Sequence, residues 1–473
     1  MRYLLTILVA FTSSVLFAGS PNIVLIVTDD HGTDALGCYG NPVIKTPHLD
    51  RLAAAGTRFT NAYCTSASCA ASRSVILTGK FGHATGSYGH VHDYHHFKSF
   101  ADTKSLPVLL KQADYMTARI GKYHVAPEAV YHFDQVLEAN PRSTLEMADA
   151  CAEVIQQKQP FFLYFCPDDP HRSAPFAPPE WDLPNTFGNL PKPYPGETPV
   201  KYKPDTVIVP PFLPDTTICR REVAEYYQSV SRIDQGVGKL IQLIEAAGKS
   251  DNTIIIYISD NGAAFPGAKT TVYEPGIRLP CIIRDPSQKA QGVASNAMIS
   301  WVDLTPTILD YAGIKFTPSD FHGRSFRQIL ASENPAGWNE MYAAHNFHEI
   351  TMYYPMRVVR AGDYKLIWNA AYQLPYPFAS DLWIASTWQE VLRNKKATYG
   401  VRPVNDYLNR PEFELYHLKE DPDEIHNLAT SSEHAETLEK LKNKIKTFQI
   451  ETDDPWYILW DNDPRLQGSG VNL

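Results

Sequence analysis

Three short apolar runs, each of which ends in polar residues, constrain the fold of this chain more than any other feature. The runs are Asn22 to Thr28, Phe161 to Cys166 and Thr253 to Ser259. A short apolar run of this kind is typical of a strand that is buried on both faces of a parallel sheet. The polar residues that follow are Asp29-Asp30, Asp168 to His171 and Asp260-Asn261. Since parallel strands end at a common edge, we predict that these three polar groups meet there.

Segments with helical character alternate with these runs. Pro47 to Ala55 closes at Gly56, Ser143 to Gln157 opens with a Ser-Thr-Leu-Glu capping box, and Arg220 to Ala247 has apolar residues at helical spacing. The Pro-rich stretch from Pro167 to Pro214 is interpreted as an ordered excursion over the ligand-binding face. The alternation predicts an α/β sandwich built on a large, mostly parallel sheet, with ligands at the carboxyl ends of its strands.

The character of the sequence changes after about residue 340. Met356 to Ile367 is typical of a hairpin that turns at Ala361-Gly362-Asp363, and Phe413 to Leu418 is typical of a further strand. Glu433 to Gln449 has the pattern of an amphipathic helix. We therefore predict a smaller α+β domain over residues 341–473, which follows a larger catalytic α/β domain over residues 20–340.

The first residues have the layout of a secretory signal peptide. Arg2 precedes an apolar run from Tyr3 to Phe17, and small residues follow at Ala18-Gly19-Ser20. The run is too short to cross a bilayer, and no other stretch approaches that length. We predict a signal peptide over residues 1–19, no membrane span, and a secreted or periplasmic mature protein.

The charge of the chain argues against one class of partner. Its net charge is -9, whereas binding to nucleic acid requires clustered Lys and Arg that neutralise many phosphates. We therefore predict no nucleic-acid partner, and an anionic substrate would need a local basic pocket. The seven cysteines form no CxxC pair, so the sequence predicts no disulfide framework.

The most informative segment is Cys69-Ala70-Ala71-Ser72-Arg73. On its own, a Cys among small residues more often packs in a core than acts as a nucleophile. This segment, however, resembles the signature Cys-x-(Pro/Ala)-Ser-Arg of the type I sulfatase family. The resemblance implies a sulfatase with an alkaline-phosphatase-like sandwich fold. It also implies a maturation enzyme as a partner, which oxidises Cys69 to formylglycine.

Hard oxygen ligands stand at two of the predicted strand ends. Adjacent aspartates are often only a solvated strand end, and Asp-Asn-Gly is often only a turn. Together, three carboxylates and an amide oxygen suit Ca²⁺ or Mg²⁺ better than zinc. The sulfatase resemblance implies a divalent ion, usually Ca²⁺, with the formylglycine from Cys69 beside it. The implied ligands are Asp29, Asp30, Asp260 and Asn261.

Basic residues stand where a sulfate pocket would need them, namely Arg73, Lys122, His124, His171 and Lys269. Each could be an ordinary surface charge, but several at strand ends predict a cationic cavity that selects a small anion. The resemblance implies that Arg73, Lys122 and His124 serve the formylglycine. It implies that His171 and Lys269 serve the sulfate oxygens and the leaving group.

Within the family, the chain resembles most the sulfamidase branch, which removes the N-sulfate of glucosamine. The resemblance extends from Pro21 to about Tyr457. Two segments, His348 to Arg357 and Glu451 to Trp456, lie outside the general signature and favour this branch. Lys269 departs from it, because the branch has an Arg there, and a bidentate contact to a sulfate oxygen becomes a point charge.

The sulfamidase resemblance implies a sulfated carbohydrate as substrate, with the N-sulfate of a glucosamine residue as the bond that is hydrolysed. His348, Glu349 and Arg357 are the predicted contacts to the sugar. Glu349 is expected to favour the ammonium that forms as the N-sulfate leaves. In the alternative interpretation, these residues are strand ends at a domain boundary.

Other functions remain open at this point. The first alternative is an O-sulfatase that acts on an algal polysaccharide such as ulvan or on another sulfated glycan. The second is a glycan-binding protein in which Cys69 is not converted. A phosphatase of the same superfamily would use Ser or Thr and a zinc-rich site, which Cys69 and the set of Asp and Asn residues do not supply. The sequence does not determine the oligomeric state, and a homodimer is compatible with it.

Overall fold

The computed structural model describes residues 19–173 and 187–460. The predicted signal peptide lies outside these residues except for Gly19, as do residues 174–186 of the Pro-rich stretch. Within the described residues, no helix is long and apolar enough to cross a membrane.

The strands fall into two main sheets and a short two-stranded ribbon. They are β1 (Asn22–Thr28), β2 (Thr57–Tyr63), β3 (Met116–Gly121), β4 (Gln135–Leu137), β5 (Phe161–Cys166), β6 (Thr253–Ser259), β7 (Cys281–Arg284), β8 (Val293–Ser300), β9 (Glu340–His345), β10 (Met356–Ala361), β11 (Tyr364–Asn369), β12 (Thr398–Tyr399), β13 (Arg402–Pro403) and β14 (Phe413–His417).

The helices range from single turns to one of 30 residues. They are α1 (Pro47–Ala54), α2 (Cys69–Thr78), α3 (Gly82–Thr85), α4 (Leu106–Lys111), α5 (Thr144–Ala150), α6 (Ala152–Gln156), α7 (Thr217–Ala246), α8 (Glu274–Ile277), α9 (Leu304–Tyr311), α10 (Ser380–Trp383), α11 (Ser386–Arg393), α12 (Val404–Leu408) and α13 (Ala435–Glu451).

The larger sheet has eight strands in the order β4-β3-β5-β1-β6-β7-β2-β8. Its strands pair in parallel except at β7, which is antiparallel to both β6 and β2. The predicted mostly parallel sheet is therefore confirmed. Because β5, β1 and β6 are neighbours, the carboxyl ends of the three apolar runs lie side by side.

Apolar layers cover both faces of this sheet, as its unbroken apolar strands require. Alternate residues of β1 point to opposite faces, so that Ile23 and Leu25 join one core while Val24 and Ile26 join the other. Helices α2 and α9 pack in the first core, and α1, α5 and the C-terminal half of α7 pack in the second.

The smaller sheet is antiparallel, in the order β14-β11-β10-β9. The predicted hairpin is present as β10 and β11, and Gly362 at its turn has a φ of +61°, which glycine adopts without strain. Leu441 and Ile445 of α13 pack on one face of this sheet. This confirms a smaller α+β region at the C-terminal side, while the boundary at residue 340 stays a prediction.

Two of the predicted helices differ from the structure at their ends or in their continuity. The helix predicted over Ser143 to Gln157 is interrupted at Cys151, which separates α5 from α6. The capping box predicted at its start is wrong, because the Ser143 side chain makes no capping hydrogen bond. Helix α7 begins three residues before the predicted Arg220, and the Thr216 hydroxyl caps it by accepting from the Cys219 amide.

All seven cysteines are free thiols.

Candidate active site

The polar groups predicted to meet at the sheet edge do so. Asp29 and Asp30 follow β1, and Asp260 follows the neighbouring β6. The Asp29 amide donates to the carbonyl of Asp169, after β5, over 3.1 Å. The Asp30 amide donates to Asp260 Oδ1, also over 3.1 Å. These bonds hold three strand ends together, so the carboxylates converge as the parallel arrangement predicts.

Three carboxylates at this edge are completely buried, on Asp29, Asp30 and Asp260. Burial, with the nearby negative charges of Asp29 and Asp260, raises the pKa of Asp30 to about 7 against the opposing charge of Lys269. Burial and Asp29 likewise raise the pKa of Asp260 to about 6. Burial also disfavours the ionised form of Asp29, but the positive charges around it, of which Lys122 is the strongest, together hold its pKa well below the ordinary value.

A divalent cation fits this cluster. Ligand atoms of Asp29, Asp30, Cys69 and Asp260 lie within 4.8 Å of one another. Two buried oxygens beside them, Asp29 Oδ1 and Asn261 Oδ1, have no hydrogen-bond partner among the described residues. An unpaired buried oxygen is unfavourable, and a cation would satisfy it. Because the donors are almost all oxygens, they suit a hard ion such as Ca²⁺ or Mg²⁺.

Cys69 is the first residue of α2, and every residue of this helix is buried. The Cys69 Sγ lies 3.8 Å from Asp30 Oδ1. Burial and the negative charge of Asp29 raise the pKa of the Cys69 thiol well above its ordinary value. The side chain is therefore a neutral thiol and not an activated thiolate. Ser72 fixes the helix to the metal-ligand edge, since its hydroxyl donates to the Asp260 carbonyl over 2.5 Å.

Two cations flank Cys69, the fully buried Arg73 and the partly buried Lys122. Arg73 Nε donates to Asp260 Oδ2 over 2.9 Å, and its Nη1 donates to the Lys122 carbonyl over 3.1 Å. Lys122 forms an ion pair with Asp29. Burial disfavours the charge of Lys122, but the negative groups around it, of which Asp29 is the strongest, together raise the lysine pKa. Both side chains therefore stay positively charged, as the predicted anion pocket requires.

Lys269 connects the acidic cluster to a histidine and to a further carboxylate. Its Nζ lies 3.0 Å from Asp30 Oδ2, 3.0 Å from His171 Nε2 and 2.8 Å from Asp381 Oδ2. His171 Nδ1 lies 2.6 Å from the carbonyl of Arg172, so Nδ1 carries a proton and Nε2 accepts from Lys269. Burial and the Lys269 charge lower the pKa of His171 to about 3.

These groups border a cavity of about 420 Å³. Six of the residues predicted from the sequence line it, and they are Lys122, His124, His171, Lys269, His348 and Glu349. The other lining residues were not predicted from the sequence as site residues, and they are His90, His92, Asp93, Tyr94, His95, Ser380 and Asp381. The histidine-rich run from His90 to His96 is a sequence feature that could have indicated some of these residues. No nearby feature could have indicated Asp381, because it is 112 positions from Lys269 in the chain.

One wall of the cavity consists of packed imidazoles. His124 Nε2 lies 2.6 Å from His92 Nδ1, and His90 Nε2 lies 3.0 Å from His348 Nε2. His348 Nδ1 is 2.9 Å from the hydroxyl of Ser68, which directly precedes Cys69. Burial is the main cause that lowers the pKa of all four rings. The wall is therefore uncharged near neutral pH and offers hydrogen bonds without adding positive charge.

The structure separates the other two predicted sugar contacts. Glu349 lines the cavity, and its Oε1 accepts from the Ser380 amide and hydroxyl over 2.8 and 2.7 Å. Arg357 does not line it. Its guanidinium is fully buried and donates to Asp454 Oδ1 over 2.8 Å and to Asn346 Oδ1 over 2.9 Å. The structure therefore gives Arg357 a role in packing the smaller sheet, and it is removed from the candidate sugar contacts.

Comparison with known proteins identifies the family. A sequence model of the sulfatase family matches residues 21–314, which is more than half of the chain. The chain belongs to the sulfatase family. A second model, for the C-terminal region of N-sulphoglucosamine sulphohydrolase, matches residues 267–375 of this sulfatase.

Individual relatives agree with this assignment. This sulfatase is 38% identical over 459 residues to N-sulphoglucosamine sulphohydrolase of Homo sapiens, with 92% of this chain and 91% of the human protein covered. It is 30% identical over 429 residues to an ulvan-active sulfatase of Formosa agariphila, with 89% and 78% covered. A protein solved with its substrate D-glucosamine-2-N,6-O-disulfate superposes with a TM-score of 0.63 at 24% identity, over 94% of this chain and 99% of that one. The predicted alkaline-phosphatase-like fold is confirmed.

Proposed function

We propose that this sulfatase hydrolyses the N-sulfate of a glucosamine residue in a sulfated carbohydrate. The main support for this proposal is the cavity beside Cys69. A polar cavity of sulfated-sugar size, about 420 Å³, ends at the lysines and carboxylates that surround Cys69. The choice of N-sulfate is supported by the 38% identity to the human N-sulphoglucosamine sulphohydrolase along nearly the whole chain.

Cys69 is the proposed site of the nucleophile, after its oxidation to formylglycine by a maturation enzyme. When formed, this residue supplies a hydrated aldehyde, in which one hydroxyl attacks sulfur and the other later expels sulfate. The position at the start of α2 suits the role, because the side chain lies beside the carboxylates, the buried Arg73 and the partly buried Lys122. The neutral thiol found there would be a poor nucleophile without conversion.

Asp29, Asp30, Asp260 and Asn261 are the proposed ligands of Ca²⁺, with Mg²⁺ as a substitute. The ion would supply positive charge beside the transferring sulfuryl group. The unpaired buried oxygens of Asp29 and Asn261 support this assignment, because they are acceptors that no described residue satisfies.

The positive side chains are the proposed anion-binding groups. Arg73 and Lys122 lie on the side of Cys69, and Lys269 lies on the side of His171. In a buried site with few competing waters, such fixed charges stabilise the charge that develops on sulfuryl oxygens in the transition state. Their ion pairs with Asp29, Asp260 and Asp381 keep them in place before substrate arrives.

The Lys269–His171 pair is the proposed source of the proton that the leaving nitrogen needs. Lys269 is charged and donates toward His171 Nε2, so the pair holds a mobile proton over 3.0 Å. An amine anion is a very poor leaving group, and a positioned acid removes that barrier. The negative charge of a bound sulfate group would oppose the effect of Lys269 and raise the pKa of His171.

A substrate screen with matured enzyme tests the proposal. We expect sulfate release from N-sulfoglucosamine to exceed release from O-sulfated monosaccharides and from an aryl sulfate. The 30% identity to an ulvan-active sulfatase makes an algal O-sulfate the second candidate. Cleavage of O-sulfated ulvan oligosaccharides by an enzyme that ignores N-sulfoglucosamine would favour that candidate.

We also propose that residues 1–19 are a signal peptide that directs the protein out of the cytoplasm, as their charged, apolar and small segments suggest. Mass analysis of the protein recovered from its native host would then give an N-terminus near Ser20. An intact Met1 would contradict this.

A further inference from the structure

Asp381 is a cavity residue that the proposed reaction does not yet use. It lies in α10, has 7% of its surface exposed, and lines the cavity wall. Its Oδ2 accepts from Lys269, but its buried Oδ1 has no hydrogen-bond partner among the described residues. A buried carboxylate oxygen without a donor is unfavourable. The cavity wall therefore holds a carboxylate oxygen whose hydrogen-bonding capacity no described residue uses.

The neighbours of Asp381 place this acceptor at the reacting end of the cavity. Lys269 Nζ bridges Asp381 Oδ2, at 2.8 Å, and His171 Nε2, at 3.0 Å. His171 Nε2 itself lies 3.8 Å from Asp381 Oδ2. The Lys269–His171 pair is the group that the proposed function assigns to the leaving atom. Asp381 is thus beside that atom, and its carboxylate also lies within 4.8 Å of Asp30 in the acidic metal-ligand cluster.

We infer that Asp381 selects substrates whose sulfate is carried on nitrogen. This inference rests on the proposed function and assigns its specificity to one residue. The bridging nitrogen of a sulfamate carries a hydrogen, so it can donate to the free oxygen of Asp381. The bridging oxygen of a sulfate ester carries only lone pairs, which a carboxylate repels. One side chain would therefore attract the N-sulfate and disfavour the O-sulfate.

The same contact strengthens as the bond breaks. When the sulfur–nitrogen bond cleaves, its electron pair stays on nitrogen, which takes one proton from the Lys269–His171 pair. The leaving group becomes an amine with two hydrogens where the sulfamate had one. Asp381 gains and loses no proton and accepts a hydrogen bond throughout. A contact that improves along the reaction lowers the barrier more than it strengthens substrate binding.

Glu349 is a second carboxylate that lines the cavity next to α10, and the structure uses it differently. Its Oε1 holds the amide and hydroxyl of Ser380, the residue before Asp381. Glu349 therefore fixes the start of α10 and acts on Asp381 indirectly. Since both side chains are cavity-lining carboxylates, Glu349→Gln is the matched control for Asp381→Asn.

The test uses two substrates that differ only in the bridging atom, N-sulfoglucosamine and glucose 2-O-sulfate. The ratio of their kcat/KM values is measured for matured wild type, Asp381→Asn and Glu349→Gln. We expect Asp381→Asn to lower the nitrogen-to-oxygen ratio about tenfold or more, the range for loss of a charge-assisted hydrogen bond. We expect Glu349→Gln to change both substrates by a similar factor. An unchanged ratio in Asp381→Asn, or a ratio that falls only in Glu349→Gln, would overturn the inference.

A measurement on the wild type covers the case in which Asp381→Asn does not fold. Glucosamine and glucose are compared as product inhibitors, and glucosamine should bind about tenfold more tightly because its amine can donate to Asp381. Equal inhibition by the two sugars would overturn the inference. A wild type that hydrolyses only O-sulfates while still preferring glucosamine would instead contradict the proposed function and leave the Asp381 contact standing.

Discussion

Arg73 Nε donates to Asp260 Oδ2 over 2.9 Å, and both side chains are completely buried. The bond joins the helix that begins at Cys69 to the strand end that carries the proposed metal ligands. A buried charge pair of this kind is costly to break, because removal of one partner leaves the other uncompensated. The nucleophile position and the metal site are therefore one structural unit, and a change in either should be detected in the other.

Cys69 should be formylglycine in active protein, because a thiol cannot supply the two hydroxyls that the reaction cycle needs. Mass analysis of the peptide that contains Cys69 measures this directly. We expect Cys69→Ser to lose turnover, since its single hydroxyl could form a sulfate ester but could not expel the sulfate. If the Cys69 peptide from fully active protein carries only an unmodified thiol, the proposed mechanism is wrong.

Chelation should abolish activity, with Ca²⁺ or Mg²⁺ restoring it and Zn²⁺ failing to do so, because the donors are oxygens. Asp260→Ala should remove tight Ca²⁺ binding in a calorimetric titration. Asp303→Ala is the control, because Asp303 is also a buried carboxylate but caps a short helix at Trp301–Asp303 away from the cluster. The control should lose stability and keep Ca²⁺ binding. Full activity in metal-free protein would contradict the proposed role of the metal ion in the reaction.

Ca²⁺ should stabilise the protein more at pH 8 than at pH 5.5. The pKa values of Asp30 and Asp260 are raised to about 7 and about 6, mainly by burial, so the folded metal-free state holds protons on these carboxyls that the unfolded state has released. The contribution of these two protons to stability is complete below the unfolded pKa, near 4, and is lost as the pH rises through 6 and 7. Ca²⁺ binds the ionised forms, so protons compete with it at pH 5.5 and not at pH 8. Thermal unfolding at both pH values measures the rise in Tm on addition of Ca²⁺; a rise at pH 5.5 as large as the rise at pH 8 would contradict the assignment.

Arg357→Met should destabilise the fold by about 3–5 kcal/mol, because it leaves Asp454 as a buried, unpaired charge. Denaturant unfolding measures the loss. Since Arg357 does not line the cavity, the variant should not raise KM for the sulfated sugar at a temperature where it stays folded. A large rise in KM with little loss of stability would return Arg357 to the sugar contacts.

The sequence predicted the parts of the site that depend on local pattern. Strands β1, β5 and β6 have the predicted bounds because each apolar run is buried on both faces and stops at charged residues. The capping box predicted at Ser143 was wrong, since the Ser143 side chain makes no capping hydrogen bond. The same four residue types are compatible with other backbone geometries, so the local pattern alone does not determine the helix end. Local pattern therefore located the carboxylates, and the resemblance to the sulfatase signature located Cys69, but neither predicted every helix end.

Contacts between distant segments were beyond prediction from the sequence. Arg357 and Asp454 are 97 positions apart, so nothing near Arg357 indicated that its charge was already paired. Asp381 lies in a four-residue helix with no motif, and only the fold brings it to Lys269. The carboxylate that we assign to substrate selection was found for this reason in the structure and not in the sequence.

A single substrate that carries both kinds of sulfate distinguishes hydrolysis of the N-sulfate from hydrolysis of an O-sulfate. Matured enzyme is incubated with D-glucosamine-2-N,6-O-disulfate, and the product is identified by NMR of the C2 and C6 positions. We expect release of the sulfate on nitrogen first, which gives glucosamine 6-O-sulfate with a free amine. A product that keeps its N-sulfate and has lost its 6-O-sulfate would contradict it.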